Sequence, residues 1–573
     1  MDNPIQLEII KNALNRIGEE MAIAIIRAAY FTFIKEMADM SCAIFDYQAR
    51  LVAQSGAPLL HLSSLRPSLR ELMKDFPPEQ MKEGDVYLFN DPFRGGIHSN
   101  DIMVIRPVFY KSQLTFFTCA LIHVSDLGGV SAGGLPANAT ECYHEGLMLP
   151  PVKLYDGGQL NHDLVRIIRA NSRTPDKVMG DINAMAGGNN FAARKMTELL
   201  DKHGRDKLLH YVNQLIEYTE RRTRQEIEKI PDGVYQGEYV VEEDGVDLGK
   251  TFKVKATVTI EGSNCHVDFS GTDPQARGPI NAAYSQSTSG VITALRCIID
   301  HSIPMNEGCF LPIQVTLPEG TLVNPRRPAA CNARVAVVQA VIDAIHRALA
   351  APYREKVAGC AGTTHVYTVG GVDPDNGNWN YMDAIVGAMG ATFGNDGPDN
   401  GIHPIYSTGD GYGASMEAYE TELPILYHGY GIWNDSGGPG KWRGGCGTWR
   451  EVEFLQTSLL TVRASDRCKL PPPGVEGGKT GKGGSWFINL GKPTQVLLPT
   501  KKTNHPVEPG DVLTMFTSGG GGYGDPFQRD PELVARDVRQ KLVSVESAAR
   551  DYGVIVNPVT GTVDSGATAR LRR

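Results

Sequence analysis

His98-Ser-Asn-Asp-Ile-Met-Val-Ile-Arg-Pro-Val-Phe-Tyr-Lys-Ser-Gln-Leu-Thr-Phe-Phe-Thr-Cys-Ala-Leu-Ile-His-Val-Ser-Asp126 holds two apolar runs, 102–110 and 114–124, rich in β-branched and aromatic residues. Lys111, Ser112 and Gln113 form a short polar break between them, so the pattern is that of an antiparallel hairpin. A turn centred on residue 112 sets Asp101 opposite His123, and His98 opposite Asp126. Opposed Cβ atoms lie roughly 5 Å apart, close enough for two side chains to share one ion, whereas a slip of one residue would turn one strand's polar groups away.

Upstream, Leu7, Ile10, Leu14, Ile17, Met21 and Ile25 recur at helical spacing and predict an amphipathic helix over about 5–30. A second hairpin is expected from 41–45 and 50–53, and another strand over 84–89. Residues 170–230 read as helical, 232–325 as short strands broken by Gly and Asn, and 334–350 as a helix. The Gly- and Pro-rich stretch 430–528 favours turns and β-structure, and Asp530 with Pro531 starts a helix to about 543. The expected class is multidomain α+β with mixed sheets and packed helices. Its parts are an N-terminal metal-binding α+β domain (1–230), a central α+β domain (231–430) and a Gly/Pro-rich β domain with a C-terminal helix (431–573).

At 573 residues the chain exceeds one domain of on the order of 100–200 residues. A formal charge of −9 gives no electrostatic reason to gather nucleic acid or anionic lipid, so a small molecule or a protein is the expected partner. Glu8, Lys11, Arg16, Glu19 and Glu20 interrupt the first apolar stretch, which argues against a signal peptide or membrane span and for a cytoplasmic protein. The ten cysteines stand singly with no C-x-x-C pair, so neither a zinc knuckle nor a disulfide framework is expected.

The residues that carry chemistry are Asp39, His98, Asp101 and His123, a mixed N and O set suited to Zn²⁺, Mn²⁺ or Fe²⁺. Asp126 would accept an imidazole N–H from behind a ligand, with Glu36 and Glu145 of lower rank. The plain alternative is that both histidines tie loops together and the aspartates cap turns. Gly474-Val-Glu-Gly-Gly-Lys479-Thr480 resembles a phosphate loop but is one residue short between its glycines. The tetraglycine Gly519 to Gly522 could wrap an anion or make a tight turn, and Glu417 with Glu420 could pair as acid and base or lie on a solvated helix face. Cys119, four residues before His123, reads as a buried strand thiol before it reads as a nucleophile.

Asn90-Asp-Pro-Phe-Arg-Gly-Gly-Ile-His98-Ser-Asn-Asp101 resembles a stretch of the hydantoinase B-type proteins. The likeness runs on through Glu145-Gly-Leu-Met-Leu-Pro-Pro-Val-Lys-Leu154, Asp435-Ser-Gly-Gly-Pro-Gly-Lys-Trp-Arg-Gly-Gly445 and Ser518-Gly-Gly-Gly-Gly-Tyr-Gly-Asp-Pro526. That family holds B subunits of ATP-dependent hydantoinases and caprolactamase, the second half of 5-oxoprolinase, and subunits of acetone and acetophenone carboxylases. The length is that of a stand-alone B subunit. His144 and the segment Gly180-Asp-Ile-Asn-Ala-Met-Ala-Gly-Gly-Asn-Asn190 depart from the family pattern.

The resemblance implies a metal, zinc ahead of manganese, on Asp39, His98, Asp101 and His123. It also implies an A-type partner subunit that binds ATP and Mg²⁺ in an α2β2 heterotetramer, and a small cyclic amide substrate. The expected reaction is ATP-dependent ring opening of a hydantoin, oxoproline or lactam. The partner would form a phosphorylated imidate, and water activated by the metal would attack it, with Asp126 or Glu145 orienting that water. The alternatives are an ATP-dependent ketone carboxylase and a non-catalytic scaffold for the ATPase subunit.

Overall fold

The structure is a computed structural model and describes residues 3–55, 61, 63–375, 377–401, 415–464 and 466–572. A seven-stranded antiparallel sheet organises the N-terminal third. Its strands are β1 (Met40–Asp46), β2 (Leu51–Gln54), β3 (Val86–Phe89), β4 (Asp101–Tyr110), β5 (Gln113–His123), β6 (Val152–Asp156) and β7 (Gln159–Leu160), in the order β2-β1-β5-β4-β3-β6-β7. The β4–β5 hairpin keeps the register expected from a turn at 112 from Asp101↔His123 to Val108↔Phe116, and a bulge beside Phe109 shifts only the tip.

Both faces of this sheet are buried, which is why its strands are apolar in unbroken runs. Ile102, Val104, Ala120 and Ile122 pack on the helices Pro4–Ala28, Pro175–His203 and Arg205–Ile227. Met103, Ile105, Phe117, Cys119 and Leu121 face the opposite core. The first helix is capped by the Asn3 side chain, carries Pro4 in its first turn, and buries the expected stripe from Leu7 to Ile25. The unusual segment 180–190 lies inside the helix Pro175–His203. A Cβ on Gly188 would meet Ile25 Cγ1 at 2.4 Å, so glycine lets the two helices approach closely. Asp181 accepts the Tyr30 and Phe31 N–H groups, and Asn189 donates to Val104 O.

The second core also takes in the helix Leu65–Asp75 and a second sheet of β8 (Gly233–Val241), β9 (Phe252–Glu261), β10 (Asn264–Asp268) and β11 (Ile313–Thr316). Its β10–β11 pair is parallel. The helix Val335–Leu349 packs on β8 and β9, and the helix Tyr284–Arg296 packs on Val335–Leu349 in turn. Tyr284–Arg296 stands where the sequence reads as short strands; it is rich in Ser and Thr, and burial on nearly every side overrides that weak propensity.

Two further antiparallel sheets enclose a third core. One orders β13 (Gly377–Val386), β12 (Thr364–Asp373), β16 (Ser458–Ala464) and β19 (Lys501–Val507). The other orders β14 (Ile425–Ile432), β15 (Thr448–Phe454), β20 (Val512–Phe516), β17 (Ser485–Ile488) and β18 (Val496–Leu497). The composition change at 430 falls inside β14, and β12 on one side of it pairs with β16 on the other; the rise in glycine marks interlocked loops, not an edge between sheets. The helix that starts at Pro531 ends at Arg539, short of 543, with Lys541 at a φ of 60°, and two more helices follow it, Val545–Tyr552 and Ser565–Leu571. Among the described residues, no helix is long and apolar enough to cross a membrane.

Candidate metal centre

Three adjacent strand ends assemble the site. In the order β1-β5-β4, Met40 and Ile102 both pair with Ile122, so Asp39 lies at the end of β1 beside His123, and Asp101 lies on its other side. The His123 N–H donates to Asp39 O at 3.3 Å. Alternation along the strands gives Asp39, Asp101 and His123 the face of Ala43, Met103 and Leu121, the side of the second core.

His98 comes from the loop before β4, and the residues of that loop explain its return. Asp91 caps the Phe93 N–H, and Gly95 takes φ +83°. A Cβ on Gly96 would meet Asp91 O at 2.6 Å, so only glycine fits there. The buried Asn90 amide accepts from Leu149 N and donates to Leu147 O and Ser99 O, fastening the loop, and Asp101 N donates to His98 O.

Asp101 then lies between two imidazoles, with His98 Nε2 at 3.1 Å from Oδ2 and His123 Nδ1 at 3.0 Å from Oδ1. All three side chains are buried, and one ligand atom from each lies within 4.8 Å of the others. Atoms bound at about 2.0–2.2 Å around a tetrahedral ion sit roughly 3.3 Å from one another, so the observed spacing fits a transition metal with little movement. Burial, then the nearby Arg334 charge, pushes His98 well below its ordinary value, which keeps the ring in the neutral form that ligates. Burial opposes ionisation of Asp101, yet the adjoining imidazoles hold its carboxyl well below the usual carboxylate range.

The other residues singled out in the sequence stand apart from this group. Asp39 keeps a buried Oδ1 without a hydrogen-bond partner among the described residues, 3.5 Å from His61 Nε2. Asp126 does not meet an imidazole, because the β4–β5 ladder stops at Asp101 and His123. Its carboxylate is taken up by Gly128 N, Gly133 N, Arg173 N and Arg173 Nη1. Glu145 is buried behind the His98 loop, where it accepts the Cys331 and Asn332 N–H groups. Burial pushes its carboxyl up to about 8 against the pull of those two N–H donors and of Arg463 and Arg334. Glu36 lies in the short helix Thr32–Met37 and is not part of this group.

His61, Gln286 and Arg334 adjoin the site without a sequence signal of their own, since each is a single polar residue in no recognisable spacing. Arg334 Nη2 lies 3.4 Å from Asp101 Oδ2, and its Nε donates to Gln286 Oε1 at 3.1 Å.

The glycine motifs are structural. The N–H groups of Gly519, Gly520, Gly521 and Gly522 donate to the carbonyls of Lys482, Gly445, Cys360 and Lys479, and Val475 N and Lys479 N donate to Gly522 O and Pro439 O. Those amides are therefore committed to carbonyls of neighbouring loop segments and do not form an anion cradle. Glu420 accepts the Tyr427 N–H and Glu417 the Ser415 hydroxyl, while burial raises the Cys119 thiol well above its ordinary value.

The chain matches the family model described as Hydantoinase B/oxoprolinase over residues 3–526, and it belongs to that family. It is 32% identical over 580 residues to the caprolactamase subunit beta of Pseudomonas jessenii, covering 99% of this chain and 98% of that one. The crystal structure of the ATP-dependent caprolactamase from the same organism superposes with a TM-score of 0.92 at 31% identity, over 100% of this chain and 99% of that one. 5-Oxoprolinase 1 of Arabidopsis thaliana is 29% identical over 91% of this chain and 42% of its own length. An acetone carboxylase structure shares the fold, with a TM-score of 0.89 at 20% identity over 100% of this chain and 82% of that one.

Proposed function

We propose that this chain is the metal-carrying catalytic subunit of a cytoplasmic, ATP-dependent cyclic amide hydrolase that works with an A-type ATP-binding subunit in an α2β2 assembly. The observation that carries the proposal is the meeting of His98, Asp101 and His123 in one buried group at the strand ends. Asp39, whose carboxylate lies beside His61 at the neighbouring strand end, is the fourth ligand of this reading.

An unstrained amide is a poor electrophile, and phosphorylation of its carbonyl oxygen by the partner subunit creates a leaving group. ATP and Mg²⁺ belong to that partner, since the glycine loops here spend their amides on backbone carbonyls. A divalent transition metal on this ligand set, zinc ahead of manganese, supplies Lewis acidity and a water of lowered pKa. The chain's own residues fix the arrangement: Asn90 and Gly96 hold the His98 loop on the strand end, Asp101 orients both imidazoles, and Glu145 anchors the 331–332 segment that leads to Arg334.

The test is reconstitution of both subunits with ATP and a panel of a hydantoin, 5-oxoproline and caprolactam. Ring opening coupled to ADP formation, dependent on both chains, is expected. Inertness of the whole panel together with carboxylate formation from a ketone and bicarbonate would replace this reading by a carboxylase, and full activity of His98→Ala and His123→Ala assemblies would replace it by a scaffold.

A further inference from the structure

The glycine loops and the C-terminal helices enclose a cleft of about 330 Å³, within the size range of ligand pockets and with no residue in common with the metal centre. One side is the Asp435–Pro439 loop with Lys479, Thr480 and Lys482, and the other is Val543 with the helix Val545–Tyr552. That helix belongs to a small core of its own, around Val534, Val543, Ala548 and Tyr552, and lies beyond residue 526, where the family match ends.

The Gly474–Thr480 stretch spends backbone amides on carbonyls, but the side chains at its end are not spent. Lys479 N donates to Pro439 O and Lys482 N to Ser436 O, which fastens both lysines to the facing loop. A Cβ on Gly478 would meet Gly522 O at 2.1 Å, and one on Gly481 would meet Gly519 O at 2.8 Å, so the segment is packed closely on the glycines behind it. From this base Lys482 Nζ stands 5.4 Å above the centre of the Trp433 ring, which itself rests on Phe516. Neither lysine makes an ion pair among the described residues, and the Thr480 hydroxyl has no hydrogen-bond partner among them.

The other charges of the lining are already matched. Arg550 donates through Nε and Nη2 to the two oxygens of Asp551 at 3.0 and 2.7 Å, and Asp435 Oδ1 accepts the Ser544 N–H at 2.7 Å. What remains is two ammonium groups and one hydroxyl beside the apolar surfaces of Pro439, Val543 and Tyr552. The planar fork of arginine suits a carboxylate, whereas lysines act on phosphate as point charges. Two unmatched positive charges also balance a phosphate monoester, which carries about −1.5 to −2 at pH 7.

We propose that this cleft binds a small organic phosphate monoester at a site separate from the metal centre, with Lys479, Thr480 and Lys482 on the phosphate and Pro439 and Val543 against the organic part. Binding here needs no metal in the buried centre.

The test is calorimetric titration of the full chain with phenyl phosphate, inorganic phosphate and benzoate. The proteins are wild type, Lys479→Gln, Lys482→Gln, His98→Ala and Lys492→Gln, the last an exposed lysine outside the cleft. Circular dichroism and thermal melts are recorded on each. Phenyl phosphate is expected to bind ahead of the other two probes, and to weaken about tenfold or more in Lys479→Gln and in Lys482→Gln, each the loss of one charge-assisted bond. Its affinity is expected to be unchanged in Lys492→Gln and His98→Ala, and to fall between about pH 7.5 and about pH 5 as the ligand takes up its second proton. Inorganic phosphate that binds as tightly, with the same lysine dependence, overturns the organic part and assigns the cleft to the free ion. No uptake of phenyl phosphate, equal affinity in all five folded proteins, or benzoate binding at least as tight overturns the phosphate site. Loss of binding in His98→Ala also overturns it, by moving the ligand to the metal centre.

Discussion

Asp101 and His123 stand opposite one another in the β4–β5 ladder, and His123 Nδ1 lies 3.0 Å from Asp101 Oδ1. The same carboxylate meets His98 and Arg334, so this buried anion serves three cationic or polar neighbours at once.

Asp101→Ala in the metal-stripped chain is expected to cost about 3–5 kcal/mol, because it leaves the buried Arg334 charge without its carboxylate. Urea unfolding of the variant and the wild type measures the difference. A change near zero would show that Asp101 carries no part of the apo packing.

Asp181 offers a pH test away from the metal. Burial raises its carboxyl to about 6, although it accepts the Tyr30 and Phe31 N–H groups through Oδ1, and its Oδ2 has no partner among the described residues. A raised carboxyl favours the protonated form in the folded state, so its stabilising contribution is complete below the unfolded value of 3.8 and is lost as pH rises through about 6. Asp181→Asn keeps the Oδ1 acceptor and removes the titration. It is expected to match wild type near pH 4 and to exceed it by about 1–3 kcal/mol at pH 8. A constant offset across that range would contradict the assignment.

Two glycines separate freedom from necessity. A Cβ on Gly187 meets nothing within 4 Å in the helix Pro175–His203, so Gly187→Ala is expected to stabilise by about 0.5–1 kcal/mol. A Cβ on Gly520 would meet Met389 O at 2.0 Å, and Gly520→Ala is expected to abolish soluble expression or lower the melting temperature sharply. Thermal melts of the two variants read both effects.

Purified alone, the chain is expected to hydrolyse no ATP, since Val475 N, Lys479 N and the amides of Gly519 to Gly522 are already bonded to carbonyls. Turnover above a partner-free blank by a homogeneous preparation would overturn the division of labour between subunits.

The parts of the fold legible in the sequence are those where periodicity and turn spacing act locally. The 5–30 helix shows its stripe every three or four residues, and the turn at 112 fixes the register that sets Asp101 opposite His123. The helix Tyr284–Arg296 was not legible, because its Ser- and Thr-rich sequence becomes helical only when enclosed by other elements. The position of Asp126 was not legible, since extending a hairpin register past the last ladder pair assumes strand where the chain has already turned. His61, Gln286 and Arg334 reach the site from segments far from the hairpin in sequence, and long-range packing of that kind leaves no mark in local spacing.

The central claim is tested most directly by elemental analysis of the purified chain beside folded His98→Ala and His123→Ala variants, all grown in metal-supplemented medium. About one transition metal per wild-type chain, lost from both variants, is the expected result. Equal, metal-free preparations of all three would contradict it.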